Sequence, residues 1–293
     1  MQLEFLFSPI CCQPLKDPLS FRLSIRPSFI RMLAVISPAK TLDFESPCPP
    51  HTSTQPQFLD EASEIIEVLR KKSRPQLRDL MGISEKLADL NFTRYKEWHT
   101  PFTDDNARAA LLAFKGDVYT GFELADYTKS DFQFAQKHLR ILSGLYGSLR
   151  PLDLMQPYRL EMGTQLKTSR GKNLYEFWGD RITKELKNSL KKSGSETLIN
   201  LASNEYFSAV DLSTLACQTI TPQFKELKNG TYKFLSYYGK KARGMMCEFM
   251  IRNRITEPAD LKKFKMEGYR YNAKLSSGDD WVFTRDTPPN AKS

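Results

Sequence analysis

Apolar positions recur along the chain with two periods. Leu33 to Ile36, RILSGLYG (140–147) and ETLINLAS (196–203) are short apolar runs, and such runs predict strands covered on both faces. Phe58, Leu59, Ala62, Ile65, Ile66 and Leu69 return at helical spacing, which predicts an amphipathic helix from Phe58 to Lys72. GKNLYEFWGDRITKELKNSLKKSG (171–194) predicts one long helix with Leu174, Phe177, Trp178, Ile182, Leu186 and Leu190 inward. Thr103 is expected to cap a helix that runs into a strand exposing Tyr119, and Ser130 to cap a shorter helix ending at His138, a residue read as structural. ACQTITPQF and YKFLSYY alternate around KNG, a hairpin turning at Asn229 and Gly230. A helix from Pro258 and a strand from Trp281 to Arg285 close the pattern. The fold class is therefore α/β (mixed α+β): a central mixed sheet covered by helices. One α/β domain is expected over 32–286, with a helical insertion at 73–112 and a disordered tail at 287–293.

Ile141 to Thr164 (ILSGLYGSLRPLDLMQPYRLEMGT) departs from this pattern. Rigid turn residues and branched or stacking charged groups follow a core strand there, as in loops built to hold something. The ends of two other predicted strands supply polar groups, Ser37, Lys40 and Thr41 in SPAKTL and Ser203, Asn204 and Glu205 in NLASNEYF. The carboxyl ends of strands are where open α/β sheets bind ligands. Lys40, Thr41, Tyr119, Tyr146, Arg150, Tyr158, Arg159 and Asn204 are thus pocket or anion-binding candidates. Lys40 and Arg150 would hold phosphate, a tyrosine would stack on a base, and Glu161 is the acid/base candidate. SPAKTL lacks the glycine frame of a phosphate loop.

Between Pro75 and Trp98, a short helix ends at Gly82, Ile83 enters the core and Ser84 caps a second helix. The pattern resembles a helix-hairpin-helix, which offers backbone amides to a DNA phosphate; Ser84 stands where that element has its second glycine. Lys86 and Arg94 could add contacts insensitive to base sequence. An ordinary helical hairpin is the competing reading. A second basic cluster, Lys240, Lys241 and Arg243 with Arg252 and Arg254, lies on or near one helix.

Composition sharpens partners more than fold. The 293 residues carry a formal net charge of +9, which favours polyanions. The cysteines number five, scattered and without a C-x-x-C pair, an arrangement that fits a reducing compartment better than a disulfide framework. His51, His99 and His138 are dispersed, so neither a metal site nor a cofactor is expected. No apolar stretch approaches the roughly 20 residues of a membrane span, and a cytoplasmic monomer is expected. Residues 1–31 are apolar and proline-rich but lack the layout of a signal peptide. They read as a non-native or disordered extension before Met32.

SPAKTL, FKGDVYTG, LSGLYGSLRPLDLMQPYRLEMGT, NLASNEYF and KKARGMM occur in this order. With them the chain closely resembles the YaaA family of bacterial peroxide-stress proteins, over about residues 32 to 286. The resemblance implies a role in peroxide stress, limitation of free intracellular iron, and DNA binding. Three readings follow: a protein binding duplex or distorted DNA, an enzyme on a nucleotide or nucleic acid at the Lys40–Glu161–Asn204 pocket, and an iron-binding or regulatory protein. Whether a reaction is catalysed stays open at the level of sequence.

Overall fold

The computed structural model describes residues 32–49 and 51–287. The extension expected at 1–31, and all but the first residue of the expected tail, lie outside the described residues. Strand β1 (Met32–Ile36) is buried throughout, as its unbroken apolar run requires. After β2 (Thr41–Leu42), helix α1 (Leu59–Arg70) turns Ala62, Ile65, Ile66 and Leu69 inward. Helix α2 (Arg74–Met81) starts with a capping box between Ser73 and Gln76 and stops at Gly82, whose φ of 59° is left-handed. Ser84 then accepts from the Leu87 amide and caps α3 (Glu85–Glu97). Ion pairs Arg74–Asp89 (2.9 Å) and Arg78–Glu85 (3.7 Å) tie the two helices together.

The next stretch corrects the sequence reading. The turn that Thr103 opens, with the Ala107 amide on the Thr103 carbonyl and Asn106 Oδ1 accepting the Thr103 amide, does not continue as a helix, because the Asp153 and Pro151 carbonyls take the amides of Ala110 and Leu111. Only α4 (Ala110–Ala113) forms, between β3 (Arg108–Ala109) and β4 (Phe114–Lys115). Tyr119 lies in a buried 3-10 turn (Tyr119–Gly121) and not on an exposed strand. Helix α5 (Lys129–His138) is capped by Thr128, in a capping box with Asp131, and not by Ser130. Strands β5 (Leu139–Ser143), β6 (Gly147–Leu149) and β7 (Leu154–Met155) follow. The single long helix expected next is two, α6 (Leu174–Trp178) and α7 (Arg181–Ser193). It breaks at Gly179, whose φ of 49° and ψ of −124° suit glycine alone.

Beyond β8 (Thr197–Leu201) come short helices α8 (Asn204–Phe207) and α9 (Leu212–Leu215). The expected hairpin forms from β9 (Gln218–Lys228) and β10 (Thr231–Lys233), turning at Asn229 and Gly230, but its second strand is shorter than YKFLSYY predicts, because Ser236, Tyr237 and Tyr238 open the next helix. Helix α10 (Ser236–Arg252) carries the second basic cluster, Pro258–Lys263 is 3-10 rather than α, and β11 (Arg270–Tyr271) and β12 (Asp280–Arg285) end the fold.

The described residues form an eight-stranded mixed sheet as predicted, ordered β11-β12-β9-β8-β1-β5-β6, with β10 on β9. β5, β1, β8, β9 and β12 run parallel. Helices α5 and α10 pack on each other and on β1, while α7 lies on β1 and β6. Among the described residues no helix is long and apolar enough to cross a membrane. Methionines 32, 155, 162, 245, 246 and 250 and Cys247 are all buried in the core.

His138 gives this core a measurable acid response. Its buried ring stacks on Phe134 at 4.0 Å, and its Nδ1 has no partner among the described residues. Burial holds its pKa down at about 4 despite a hydrogen bond with the Met32 backbone. An unfolded histidine titrates near 6.5. As pH falls from about 6.5 to about 4, the unfolded chain takes a proton that the native ring refuses, so stability falls with it. The urea midpoint of the wild type is expected to drop across this window more than that of His138→Gln. Equal acid slopes in the two proteins would assign the response to another group.

Candidate functional site

In chain order the parallel strands lie 2-1-3-4-5 across the sheet, from β5 through β1, β8 and β9 to β12. The connections therefore part on either side of the β1/β8 pair, and ligands of such sheets bind in the crevice past the carboxyl ends at that point. Here the two strand ends touch. Ser37 Oγ accepts the Ser203 amide at 2.8 Å and donates to Ser203 Oγ at 3.3 Å, and the Tyr119 hydroxyl donates to the Ser37 carbonyl at 3.1 Å. Ser203 precedes α8 without capping it by its side chain, and Asn204 is exposed beside it.

The second half of the Ile141–Thr164 stretch closes over this edge. Gly144, just past β5, lets it approach: a Cβ there would stand 2.4 Å from the Leu160 carbonyl oxygen. The segment is then pinned along its length. The Tyr95 hydroxyl donates to the Arg159 carbonyl, Tyr206 hydrogen-bonds the Met162 backbone, and the Gly163 amide donates to Glu205 Oε1 at 3.0 Å. Glu161 is thereby held between two cations, Lys40 Nζ at 2.7 Å and an Arg159 guanidinium nitrogen at 3.1 Å. Lys40 is largely exposed, whereas the Arg159 side chain is largely buried and its Nε has no acceptor among the described residues. Burial pushes the phenols of Tyr119, Tyr158 and Tyr206 far above their ordinary pKa. They are neutral at any physiological pH, and the Tyr119 hydroxyl donates to the Ser37 carbonyl.

Of the pocket candidates, the structure brings Lys40, Arg159 and Glu161 into one cluster at the strand ends where Asn204 lies. The others serve elsewhere. Arg150 binds Asp153 at 2.8 Å and donates to the Gln55 carbonyl, holding the segment that precedes α1. Tyr146 is sealed between Trp98 Nε1 (3.0 Å) and Gln156, and Tyr158 shares a 2.6 Å hydrogen bond with Ser143. Tyr119 works from beneath through Ser37, and exposed Thr41 pairs with Lys115 across β2 and β4. The part played by Tyr95 escaped sequence reasoning: on α3 it reads as one more inward aromatic, and nothing local points to a partner 64 residues away.

The two basic regions differ in how much charge they leave free. On α10, Lys240 pairs with Asp117 at 3.3 Å and Lys241 with Glu267. Arg252 binds Glu248 and Asp131, Arg254 binds Asp131, and Arg243 lies half-buried over Phe234. At the α2–α3 hairpin Lys86 is exposed and makes no ion pair among the described residues, and Gly82 and Ser84 are exposed with it. Arg94 is partly buried, 3.5 Å from Asn91 Oδ1.

Comparison with known proteins adds a lineage to this geometry. A family model described as peroxide stress protein YaaA matches residues 32–275. A UPF0246 protein of Hahella chejuensis is 53% identical over 255 residues, covering 87% of this chain and 100% of the relative. A UPF0246 protein of Teredinibacter turnerae is 55% identical over 254 residues, covering 87% of this chain and 99% of the relative.

Proposed function

Because the chain belongs to the peroxide stress protein YaaA family, we propose that it acts in the cytoplasmic peroxide response by binding the DNA phosphate backbone through its α2–α3 hairpin. The observation that carries this reading is the exposed tip of that hairpin. The Gly82 and Ile83 amides are spent on the Arg78 carbonyl and the Leu87 amide on Ser84. The Glu85 and Lys86 amides open α3 and have no acceptor within the helix, and a helix start with free amides receives phosphate oxygens. Lys86 brings an uncommitted positive charge to the same turn. Arg78 partly offsets Glu85, the acid that would oppose a phosphate there.

This reading also connects DNA to iron. Ferrous ions gather along DNA as counterions, and a protein that neutralises phosphates releases the counterions condensed there. Occupancy of the backbone would then lower the local iron that turns peroxide into DNA-cleaving radicals.

Anisotropy titration of a labelled duplex over a salt series tests the proposal. Binding is expected to weaken steeply with salt, and Lys86→Ala to lower affinity across sequences while reducing the logarithmic salt slope by about 1. In a ferrous–peroxide nicking assay the same substitution should weaken plasmid protection. A wild-type protein that binds no duplex at low salt would sink the reading.

A further inference from the structure

The Lys40–Glu161–Arg159 cluster has the form of an anion site filled from within. Two cations on separate segments converge on one carboxylate past the strand ends, at the position in the topology where doubly wound sheets take their ligands. Arg159 spends one nitrogen on Glu161, while its buried Nε faces no acceptor among the described residues. Ser37 and Ser203 bring their hydroxyls to the adjoining strand ends, and the Ser203 hydroxyl is not used to cap α8.

We propose that this crevice binds the phosphate monoester of a small metabolite, gripped by Lys40 and Arg159 with Ser203 and Asn204 at its rim, and that Glu161 holds the anion's place until the ligand displaces it. Phosphate, rather than a carboxylate, is the chemistry that fits. A ligand carboxylate would exchange like for like with Glu161 and gain little. A phosphate dianion brings more charge and three acceptor oxygens to the same two cations, and charge-assisted bonds to Arg and Lys are the strong ones. Displacement is open to Glu161 because its side chain is a quarter exposed and, among the described residues, its ion pairs are with those two cations. The loop backbone stays where Tyr95, Tyr206 and Glu205 pin it.

The site is separate from the proposed DNA contact, and one set of variants tells them apart. Calorimetric titration with inorganic phosphate, a nucleoside 5′-monophosphate and a 5′-phosphorylated oligonucleotide is the test. Glu161→Gln should bind the monophosphate about tenfold more tightly than wild type if the displaced state is about a tenth populated, since removing an internal competitor raises the competent fraction toward one. Lys40→Met, at an exposed position where folding is not at stake, should abolish that gain when added to Glu161→Gln. Lys86→Ala should leave monophosphate binding unchanged. Three results would overturn the proposal: no binding of either small phosphate to Glu161→Gln at millimolar concentration, binding indifferent to Lys40→Met, or binding confined to the oligonucleotide, which would give the crevice to DNA ends.

Discussion

Gly244→Ala is expected to destabilise the protein by about 3 kcal/mol or more, at the upper end of what overpacking costs. A Cβ on Gly244 would stand 1.8 Å from the Val118 carbonyl oxygen, and one on Gly121 would stand 2.4 Å from the Met245 amide nitrogen. Backbone meets backbone at both points, so no side-chain rotation relieves the clash; α10 must move off the turn that carries Tyr119. Chemical denaturation should show a lower midpoint with an unchanged slope. Gly82→Ala makes the control. Its Cβ meets nothing within 4 Å, so only the left-handed backbone is penalised, by roughly 1 kcal/mol. A Gly244→Ala protein no less stable than Gly82→Ala would show that the close approach is not required.

The second large effect is expected at Arg285. Its side chain is 1% exposed, binds Glu226 at 2.9 Å and Glu267 at 3.2 Å, and lies over the Tyr269 ring at 4.3 Å. Glu226 is itself buried on β9 and also accepts from the Tyr269 hydroxyl. Arg285→Met would leave that carboxylate buried without its cation, and breaking a buried pair from one side costs about 3–5 kcal/mol. For a chain of this size that is a fall in Tm of roughly 10 °C. Adding Glu226→Gln, which keeps an acceptor for Tyr269 and removes the charge, should recover most of the loss. If the double variant is no more stable than the single one, the cost lies in packing and not in the stranded charge.

These positions show which parts of the molecule local sequence records. The strands of the sheet centre were legible because burial on both faces leaves an unbroken apolar run, and Ser84 was legible as a cap because capping is decided within three residues. The helix expected from Thr103 failed where the backbone amides of Ala110 and Leu111 find acceptors 43 and 40 residues away, in the Pro151–Asp153 segment. The predicted long helix failed at Gly179, which the apolar spacing passes over. At the candidate site, Lys40, Arg159 and Glu161 were visible as charged residues beside strand ends or in a rigid loop. Arg150, equally conspicuous, serves the segment before α1 instead, through a bond to the Gln55 carbonyl 95 residues away that no local pattern records. Lys240, Lys241 and Arg254 looked like free charge because their acids, Asp117, Glu267 and Asp131, come from other elements of the chain.

The core's sulfur has a consequence in the chemistry this family meets. Peroxide oxidises thiolates and accessible thioethers, and an oxidised methionine becomes polar and disrupts the packing around it. The Cys247 thiol is enclosed, and burial pushes its pKa far above the ordinary thiol value, so it presents almost no thiolate to an oxidant. Met245, Met246 and Met250 lie on the same helix and are buried with it. Helix α10, which packs against the Tyr119 turn, thus carries four oxidisable sulfur atoms that only the packing of the folded chain keeps from solvent.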